Sequence, residues 1–287
     1  MRAFDFIRVK ETEKVLSLLK EYKGKARVIA GGTDVMIGLR KETLPESVEM
    51  LLDISGLKEL NYIKEDGNYI RIGACTTHAQ CAESQLLKKH ASLLAEAASA
   101  VGSPQIRNRG TIGGNIVTAA PCADTVPAFI ALNAVCRLRR GKQSREIPLA
   151  EMITGPHRVN IAPDELLTEI YFEKLKAGTH SLFIKLVRRN ALDKARMSFS
   201  VIASLNDKGE VHDIRISVGA TTPVPCRFQA AENVLLGNVP IEKLIREAAG
   251  KVSKTMIEKS GYRWSTDYKQ KVVASLTVRA LKTVLGV

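Results

Sequence analysis

The stretch VIAGGTDV, residues 28–35, decides how the first part of this chain folds. Its opening residues form a short buried strand, and residues 35–40 have the pattern of a helix, so the two glycines fall in the turn between them. Glycines let the backbone turn sharply and let successive N–H groups point into one concavity, where a diphosphate fits. A tight structural connection is the simpler alternative, and the GxGxxG dinucleotide fingerprint is absent.

A second glycine loop, TIGGN, occupies residues 111–115 and is followed nine residues later by Asp124. Its glycines permit a ligand to approach the backbone closely, and Asn115 and Asp124 offer partners for hydroxyl groups. Arg107 and Arg109, just upstream, have the charge to offset a phosphate. The alternative is a structural double-glycine bend in which Asp124 caps the helix that follows.

The order of apolar patterns predicts an α+β fold in two domains. Residues 1–176 form the first domain, with a small α/β unit over about 1–54 and a mixed or antiparallel sheet with helices over about 55–176. Residues 177–287 form a smaller C-terminal domain of antiparallel sheet followed by helices. Segment 103–115 is too polar and too rich in turn-forming residues for a regular element, so we expect a loop there.

Composition is that of an ordinary globular chain, with 45% hydrophobic and 25% charged residues among 287. No apolar run has the length that crosses a bilayer, and the N-terminal sequence lacks the apolar stretch of a signal peptide. We therefore expect a cytoplasmic protein without a membrane span.

The net charge of +13 is spread along the chain, with its densest groups at residues 137–142 and 185–189. Both groups interleave basic with apolar residues, as strands with one solvated face do. A solvated basic face is the simplest interpretation, and a docking surface for an acidic partner is the next. Nucleic acid comes third, because aromatic residues are only 5% of the chain and no nucleic-acid motif is present.

Cysteine and histidine spacing gives no sign of a metal or iron–sulfur site in this chain. The five cysteines include no CxxC pair, and the five histidines form no HExxH or paired-ligand pattern. In a cytoplasmic chain, such cysteines are expected to be free and partly buried thiols.

Two glycine loops about eighty residues apart indicate a dinucleotide held between two subdomains. The motifs AGGTD at 30–34 and TIGGN at 111–115 with its trailing aspartate resemble those of the FAD-binding subunits of molybdenum hydroxylases. That family includes xanthine dehydrogenase and carbon monoxide dehydrogenase. PQIRN at 104–108 and ELLTEI at 165–170 also look like the family, and the resemblance extends over essentially the whole chain.

The resemblance implies a set of FAD-contacting residues drawn from both loops and from the strands beyond them. These are Val28, Ile29, Ala30, Gly31, Gly32, Thr33, Asp34, Val35, Val101, Thr111, Gly113, Gly114, Asn115, Asp124, Leu167 and Lys185. No catalytic residue and no metal ligand is implied in this chain.

Within that set, the resemblance implies that residues 29–35 cradle the diphosphate and that the second loop binds its other side and nearby hydroxyls. Asp124 accepts a hydrogen bond from an FAD hydroxyl, and Leu167 lies near the flavin or adenine end. Lys185 reaches the isoalloxazine edge, where a cation stabilises reduced flavin. Val101 stands where some relatives have an aromatic residue, and valine cannot stack on a ring.

The function implied is electron relay from substrate chemistry that takes place elsewhere. FAD is bound non-covalently here, whereas molybdopterin and two [2Fe–2S] clusters belong to a large and a small partner subunit, in a dimer of heterotrimers. A purine is the first expected substrate, as in a xanthine dehydrogenase of purine metabolism, followed by nicotinate or another N-heterocycle. NAD is an expected acceptor.

Two competing interpretations come from other functional classes. The chain could be a stand-alone FAD-dependent oxidase or dehydrogenase with its own substrate pocket, although its small C-terminal domain argues against this. It could also be a binding or assembly module that has lost its cofactor, which the intact glycine loops argue against. Genes for a [2Fe–2S] protein and a molybdopterin protein beside this one would favour the subunit.

Overall fold

A computed structural model of the chain describes residues 3–189 and 192–287. Three sheets with helices packed on them make up the fold, together with a two-stranded ribbon. The α+β class predicted from the sequence is confirmed. Over the described ranges, no helix is both long enough and apolar enough to cross a membrane.

The N-terminal unit is a small α/β layer built on a parallel sheet with strand order β1-β3-β2. Helix α1 packs on this sheet through an apolar face that includes Val15 and Leu19, and helix α2 covers Leu51 through Leu39. The elements are β1 (Asp5–Arg8), α1 (Thr12–Tyr22), β2 (Ala26–Ile29), α2 (Val35–Arg40) and β3 (Met50–Asp53).

The central unit has a five-stranded antiparallel sheet, order β4-β5-β10-β6-β7, with its helices gathered around one large core. After a single 3₁₀ turn (Lys58–Leu60), the elements are β4 (Ile63–Asp66), β5 (Tyr69–Gly73), α3 (His78–Glu83), α4 (Gln85–His90), α5 (Ser92–Ser99), α6 (Pro104–Arg109), α7 (Ile112–Thr118), α8 (Thr125–Ala131), β6 (Val135–Arg140), β7 (Gln143–Pro148), α9 (Leu149–Met152), β8 (Ile153–Gly155), β9 (Arg158–Val159) and β10 (Leu166–Glu173). Strands β8 and β9 form the separate ribbon.

The C-terminal unit is an antiparallel sheet, order β11-β12-β13, covered by three helices. Residues from both layers, among them Phe199, Phe228 and Val252, form its core. The elements are β11 (His180–Leu186), β12 (Met197–Leu205), β13 (Val211–Gly219), α10 (Gln229–Leu235), α11 (Glu242–Ser260) and α12 (Thr266–Leu285).

The prediction of an irregular loop over 103–115 is wrong, because two short helices, α6 and α7, occupy most of it. Each begins at a hydroxyl residue that accepts a hydrogen bond from the backbone three residues on. Ser103 accepts from Ile106 N at 3.3 Å, and Thr111 accepts from Gly114 N at 3.1 Å. These caps satisfy N–H groups at the helix ends, and this outweighs the low helix propensity of the glycines.

The basic group at 137–142 lies largely on strand β6, where apolar and basic side chains alternate between a buried and a wetter face. The more exposed face of β6 is not simply solvated, because basic side chains on it form ion pairs with acidic groups. Arg137 contacts Glu146 at 2.9 Å, and Arg139 contacts Glu13 at 2.7 Å. The cysteines are free, with Cys75, Cys81 and Cys136 buried.

Glu169 organises the middle of the central sheet. It is 4% exposed, and its carboxylate accepts hydrogen bonds from Tyr62 Oη at 2.7 Å and Arg71 Nη1 at 2.8 Å. Arg137 Nη1 lies 2.9 Å from the same carboxylate. One buried carboxylate on β10 therefore binds partners from a loop and from β5 and β6, the two strands that flank β10 in the sheet.

We predict that Glu169→Gln lowers the free energy of unfolding by about 2 kcal/mol, because Arg71 and Arg137 lose their buried charge partner and keep Asp66 and Glu146 as more exposed partners. Urea denaturation checks this value. The matched control is Glu65→Gln, which removes an exposed carboxylate paired with Lys174 at 2.6 Å and should leave the midpoint nearly unchanged. Equal effects of the two substitutions would contradict this role for Glu169.

Candidate functional site

A cleft of about 390 Å³ separates the N-terminal unit from the central unit, and both glycine loops line it. Its floor includes Ile54, Ala74, Leu166 and Leu167, which are apolar. The cleft therefore combines apolar side chains with glycine-rich backbone, which is the lining expected for an organic ligand that has apolar and polar parts.

The first glycine loop (residues 28–35) presents a run of unpaired backbone donors. Among the described residues, no acceptor is found for the N–H groups of residues 31–35, and the first N–H in this region that does donate is that of Met36, to Gly32 O at 3.0 Å. Gly32 has a φ of +75°, a conformation that residues with a side chain rarely adopt. Consecutive free N–H groups in a turn are the kind of donors that bind an anion, and this role for the first loop stays a prediction.

The two walls of the cleft touch through bare backbone. A Cβ atom on Gly31 would lie 1.9 Å from the carbonyl oxygen of Arg109, which no rearrangement of a side chain would relieve. The steric constraint at Gly110 is weaker, because a Cβ atom there would lie 3.2 Å from the ring of His78 and 3.6 Å from Thr33 Oγ1. Glycine at these two positions sets the width of the cleft.

The second glycine loop (residues 111–115) uses its backbone donors internally. Ile112 N donates to Thr76 O and Gly113 N to Ala74 O, both at 2.9 Å, while Gly114 N donates to the Thr111 hydroxyl. These bonds fasten the loop to the end of strand β5, where a Cβ on Gly113 would lie 2.7 Å from Ala74 O. This loop therefore differs from the first, because the N–H groups of residues 112–115 are already bonded within the protein.

Polar side chains are what the second loop offers a ligand. Asn115 Oδ1 accepts a hydrogen bond from Thr125 Oγ1 at 2.7 Å, which fixes the orientation of the amide. Within the described part of the chain its Nδ2 has no partner, so this donor is available. The Thr111 hydroxyl accepts from Gly114 N and keeps its own proton to donate.

Most of the predicted FAD-contacting residues lie together on the cleft wall. The lining includes Val28, Ala30, Gly31, Gly32, Thr33, Asp34, Val35, Val101, Thr111, Gly113, Gly114, Asn115 and Leu167. Ile29, Asp124 and Lys185 are not among the lining residues. Ile29 closes strand β2 beside β3, and its carbonyl accepts from Ile54 N at 2.9 Å.

Asp124 and Lys185 form a buried ion pair between the central and C-terminal units. Lys185 Nζ lies 2.8 Å from Asp124 Oδ2 and also donates to Ala100 O at 2.8 Å, next to the cleft residue Val101. Asp124 precedes the first residue of helix α8 but makes no capping bond there, so the alternative in which it caps this helix is not supported. Asp124 Oδ1 is buried, and no described residue pairs with it. Burial raises the pKa of Asp124 to about 6, although the Lys185 ammonium opposes this shift.

Several residues that line the cleft were not predicted from the sequence. In addition, Arg107, which the sequence offered as a partner for a phosphate, makes a contact within the protein. Arg107 Nη1 donates to Val101 O at 3.0 Å, so it braces the turn before α6 instead of facing a phosphate. Among the described lining residues, the cation is Arg27. The other unanticipated lining residues include His78, Ile106, Gly110, Ile161, Ala162 and Pro163. No local sequence signal marks them, because their position depends on how distant segments pack.

We predict that Lys185→Met destabilises the protein by about 3 kcal/mol at pH 8, where it leaves a buried carboxylate unpaired, and by less at pH 5. In the folded protein the pKa of Asp124 is raised to about 6. Its protonated form therefore contributes to the free energy of unfolding at low pH, and this contribution is lost as pH rises through about 6. Urea denaturation at both pH values measures the difference. The double variant Lys185→Met/Asp124→Asn is the control and should show a loss independent of pH, whereas a pH-independent loss in the single variant contradicts the assignment.

Two family models together cover nearly all of the chain. Residues 2–172 match the FAD binding domain in molybdopterin dehydrogenase. Residues 183–284 match the CO dehydrogenase flavoprotein C-terminal domain. The first match contains both glycine loops and the cleft between them, and the second contains the three-stranded sheet and the helices that cover it.

Individual relatives are similar to this chain over most or nearly all of their own lengths. The chain is 32% identical to the nicotinate dehydrogenase FAD-subunit of Eubacterium barkeri, covering 99% of this chain and 97% of the relative. It is 30% identical to a xanthine dehydrogenase FAD-binding subunit of Escherichia coli, covering 91% and 89%. In structure it resembles a chain of carbon monoxide dehydrogenase from Hydrogenophaga pseudoflava, with a TM-score of 0.92, 28% identity and coverage of 99% and 98%. The chain therefore belongs to the FAD-binding flavoprotein subunits of the molybdenum hydroxylases.

Proposed function

We propose that this chain is the electron-transfer subunit of a molybdenum hydroxylase, receiving electrons from [2Fe–2S] clusters of a small partner subunit and delivering them to an external acceptor. The observation that carries the proposal is the run of unpaired N–H groups at residues 31–35 facing a cleft of the FAD-binding family. FAD, when bound, accepts two electrons and releases them singly or as a hydride. The chain supplies position and electrostatics.

The free N–H groups at residues 31–35 would hold the FAD diphosphate, because consecutive amide dipoles at close range stabilise its negative charge. Asn115 and Thr111 would bind hydroxyls or phosphate oxygens from the opposite wall with their side chains. Leu167 would contribute apolar surface to the floor of the cleft. The attachment is non-covalent in this proposal.

Asp124 and Lys185 would act at the edge of the ligand next to Val101. Their ion pair lies against Ala100, one residue from the cleft wall, so a short displacement of either side chain brings a charged group toward the ligand. A cation held there would stabilise negative charge on reduced flavin. Both remain proposed contacts, as does Ile29.

The substrate would be set by a molybdopterin-binding large subunit. We retain a purine as the first candidate, in keeping with the xanthine dehydrogenase relative, and nicotinate as the second, in keeping with the nicotinate dehydrogenase relative. NAD is the proposed acceptor, and a dimer of heterotrimers in the cytoplasm is the proposed assembly. The stand-alone oxidase is less favoured, since the chain matches relatives named as subunits over nearly their full length.

We also propose that the chain divides into domains at residues 1–176 and 177–287, with the first subdivided near residue 54. The three main cores support this division, because each draws its buried residues largely from one of these segments. Ile202 is an exception, because it belongs to the C-terminal segment but is buried in the central core, where the two units pack together.

We predict that Gly32→Val raises the Kd for FAD at least about tenfold, because a β-branched residue resists a φ of +75° at a cost on the order of 1–3 kcal/mol. Fluorescence titration of the purified chain with FAD measures the effect. Gly67→Val is the matched control, since Gly67 has a φ of +57° and lies in open space in the β4–β5 turn. Normal FAD affinity in the Gly32 variant would remove the first loop from the site.

The complete complex tests the electron path. We expect the visible absorbance of the flavin to bleach on addition of substrate only when the [2Fe–2S] and molybdopterin subunits are present, and to recover on addition of the acceptor, as two-electron flavin chemistry requires. Xanthine, nicotinate and NAD are the compounds to add first. Bleaching of the isolated chain by substrate alone would favour the stand-alone oxidase.

A further inference from the structure

His78 is a buried histidine on the wall of the cleft with a nitrogen that lacks a hydrogen-bond partner. It is the first residue of helix α3, only 2% of its surface is exposed, and it lines the cleft together with Thr33 and Gly110. Its Nδ1 is buried, and the described part of the chain provides no donor or acceptor for it. Buried polar nitrogens in folded proteins are nearly always paired, so the imidazole is kept on this wall at a cost in stability.

The position of the ring is fixed by the backbone around it. Thr77 caps helix α3 with a reciprocal pair of bonds to Gln80, and the N–H of His78 donates to Gly110 O at 3.0 Å. A Cβ on Gly110 would lie 3.2 Å from His78 Cδ2 and 3.6 Å from Thr33 Oγ1. The imidazole therefore stands where the first glycine loop meets the end of helix α6, beside the run of free N–H groups.

The imidazole is neutral at physiological pH. Burial lowers its pKa to about 4, and the Arg107 guanidinium adds to this shift. A neutral imidazole has one N–H donor and one nitrogen acceptor, so it can bond both to an oxygen that needs a proton and to a hydroxyl that offers one. It adds no charge of its own to a site whose anion would be held by backbone amides.

We propose that His78 is a ligand-binding residue of this cleft, hydrogen-bonded through its neutral imidazole to an oxygen of FAD between the two glycine loops. The inference rests on the proposed FAD site. It extends that site by a residue from helix α3, which belongs to neither glycine motif. Nε2 is the ring nitrogen that would make this contact, because it adjoins Cδ2 on the edge of the ring near Gly110, whereas the buried Nδ1 has no accessible surface that a ligand could reach.

The test compares His78→Leu, His78→Asn and His78→Gln in the full chain, with His212→Leu, an exposed histidine on strand β13, as the control. Fluorescence titration gives the Kd for FAD, and thermal unfolding without FAD gives the stability of the fold. We expect His78→Leu to raise the Kd about fivefold, the size of one ordinary hydrogen bond, and either the Asn or the Gln variant to restore it to within about twofold. The control should bind like the wild type.

Thermal unfolding separates binding from a structural role. Without FAD, His78→Leu should melt at the same temperature as the wild type or higher, because it removes an unpaired buried nitrogen, while the rise in Tm produced by FAD should shrink. The ratio of the two Kd values should stay constant from pH 6 to pH 8, since the ring is neutral throughout.

Three outcomes would overturn the inference. One is a His78→Leu chain that binds FAD as tightly as the wild type. Another is a lowered melting temperature without FAD that neither amide variant corrects, which would make His78 a structural residue. The third is a ratio of Kd values that changes across this pH range, which would require a charged ring. A wild-type chain that takes up no FAD is a separate result and overturns the proposed function itself.

Discussion

The contact between Gly31 and the carbonyl of Arg109 is the constraint on which the rest of the site depends. At this point two units approach as bare backbone, at a distance that a single methyl group would prevent. The approach brings a loop rich in free N–H groups opposite a loop rich in side-chain donors. Neither wall alone has both, so the proposed binding of an anion with flanking hydroxyls depends on the packing of the two units.

The two glycine loops have similar sequences but different physical roles. In the first, the chain leaves a parallel strand and enters a helix, and five successive N–H groups remain unpaired among the described residues. In the second, the same kind of sequence is bonded to the end of strand β5 and to its own threonine cap. A double glycine therefore accompanies close approach to protein backbone in both places, at Arg109 for the first loop and at Ala74 for the second. The loops differ in their N–H groups, which among the described residues are free in the first loop and bonded within the protein in the second.

The sequence predicted the fold class, the main helices and strands and the two glycine loops that line the cleft, because these follow from local periodicity and from two motifs. It failed over residues 103–115, where two hydroxyl caps outweigh the count of turn formers. It also could not find His78, whose importance comes from burial beside Gly110. Nor could spacing pair Asp124 with Lys185, because that contact depends on how two units pack.

The separation of the core into clusters has a consequence for the motions of the protein. The apolar residues of the N-terminal unit and of the central unit are largely distinct sets, and the cleft runs between them. Each unit can then open as its own cooperative segment, with amide hydrogen exchange rates that differ from one side of the cleft to the other. A ligand that spans the cleft joins the two segments, so that neither exchanges freely without first releasing it.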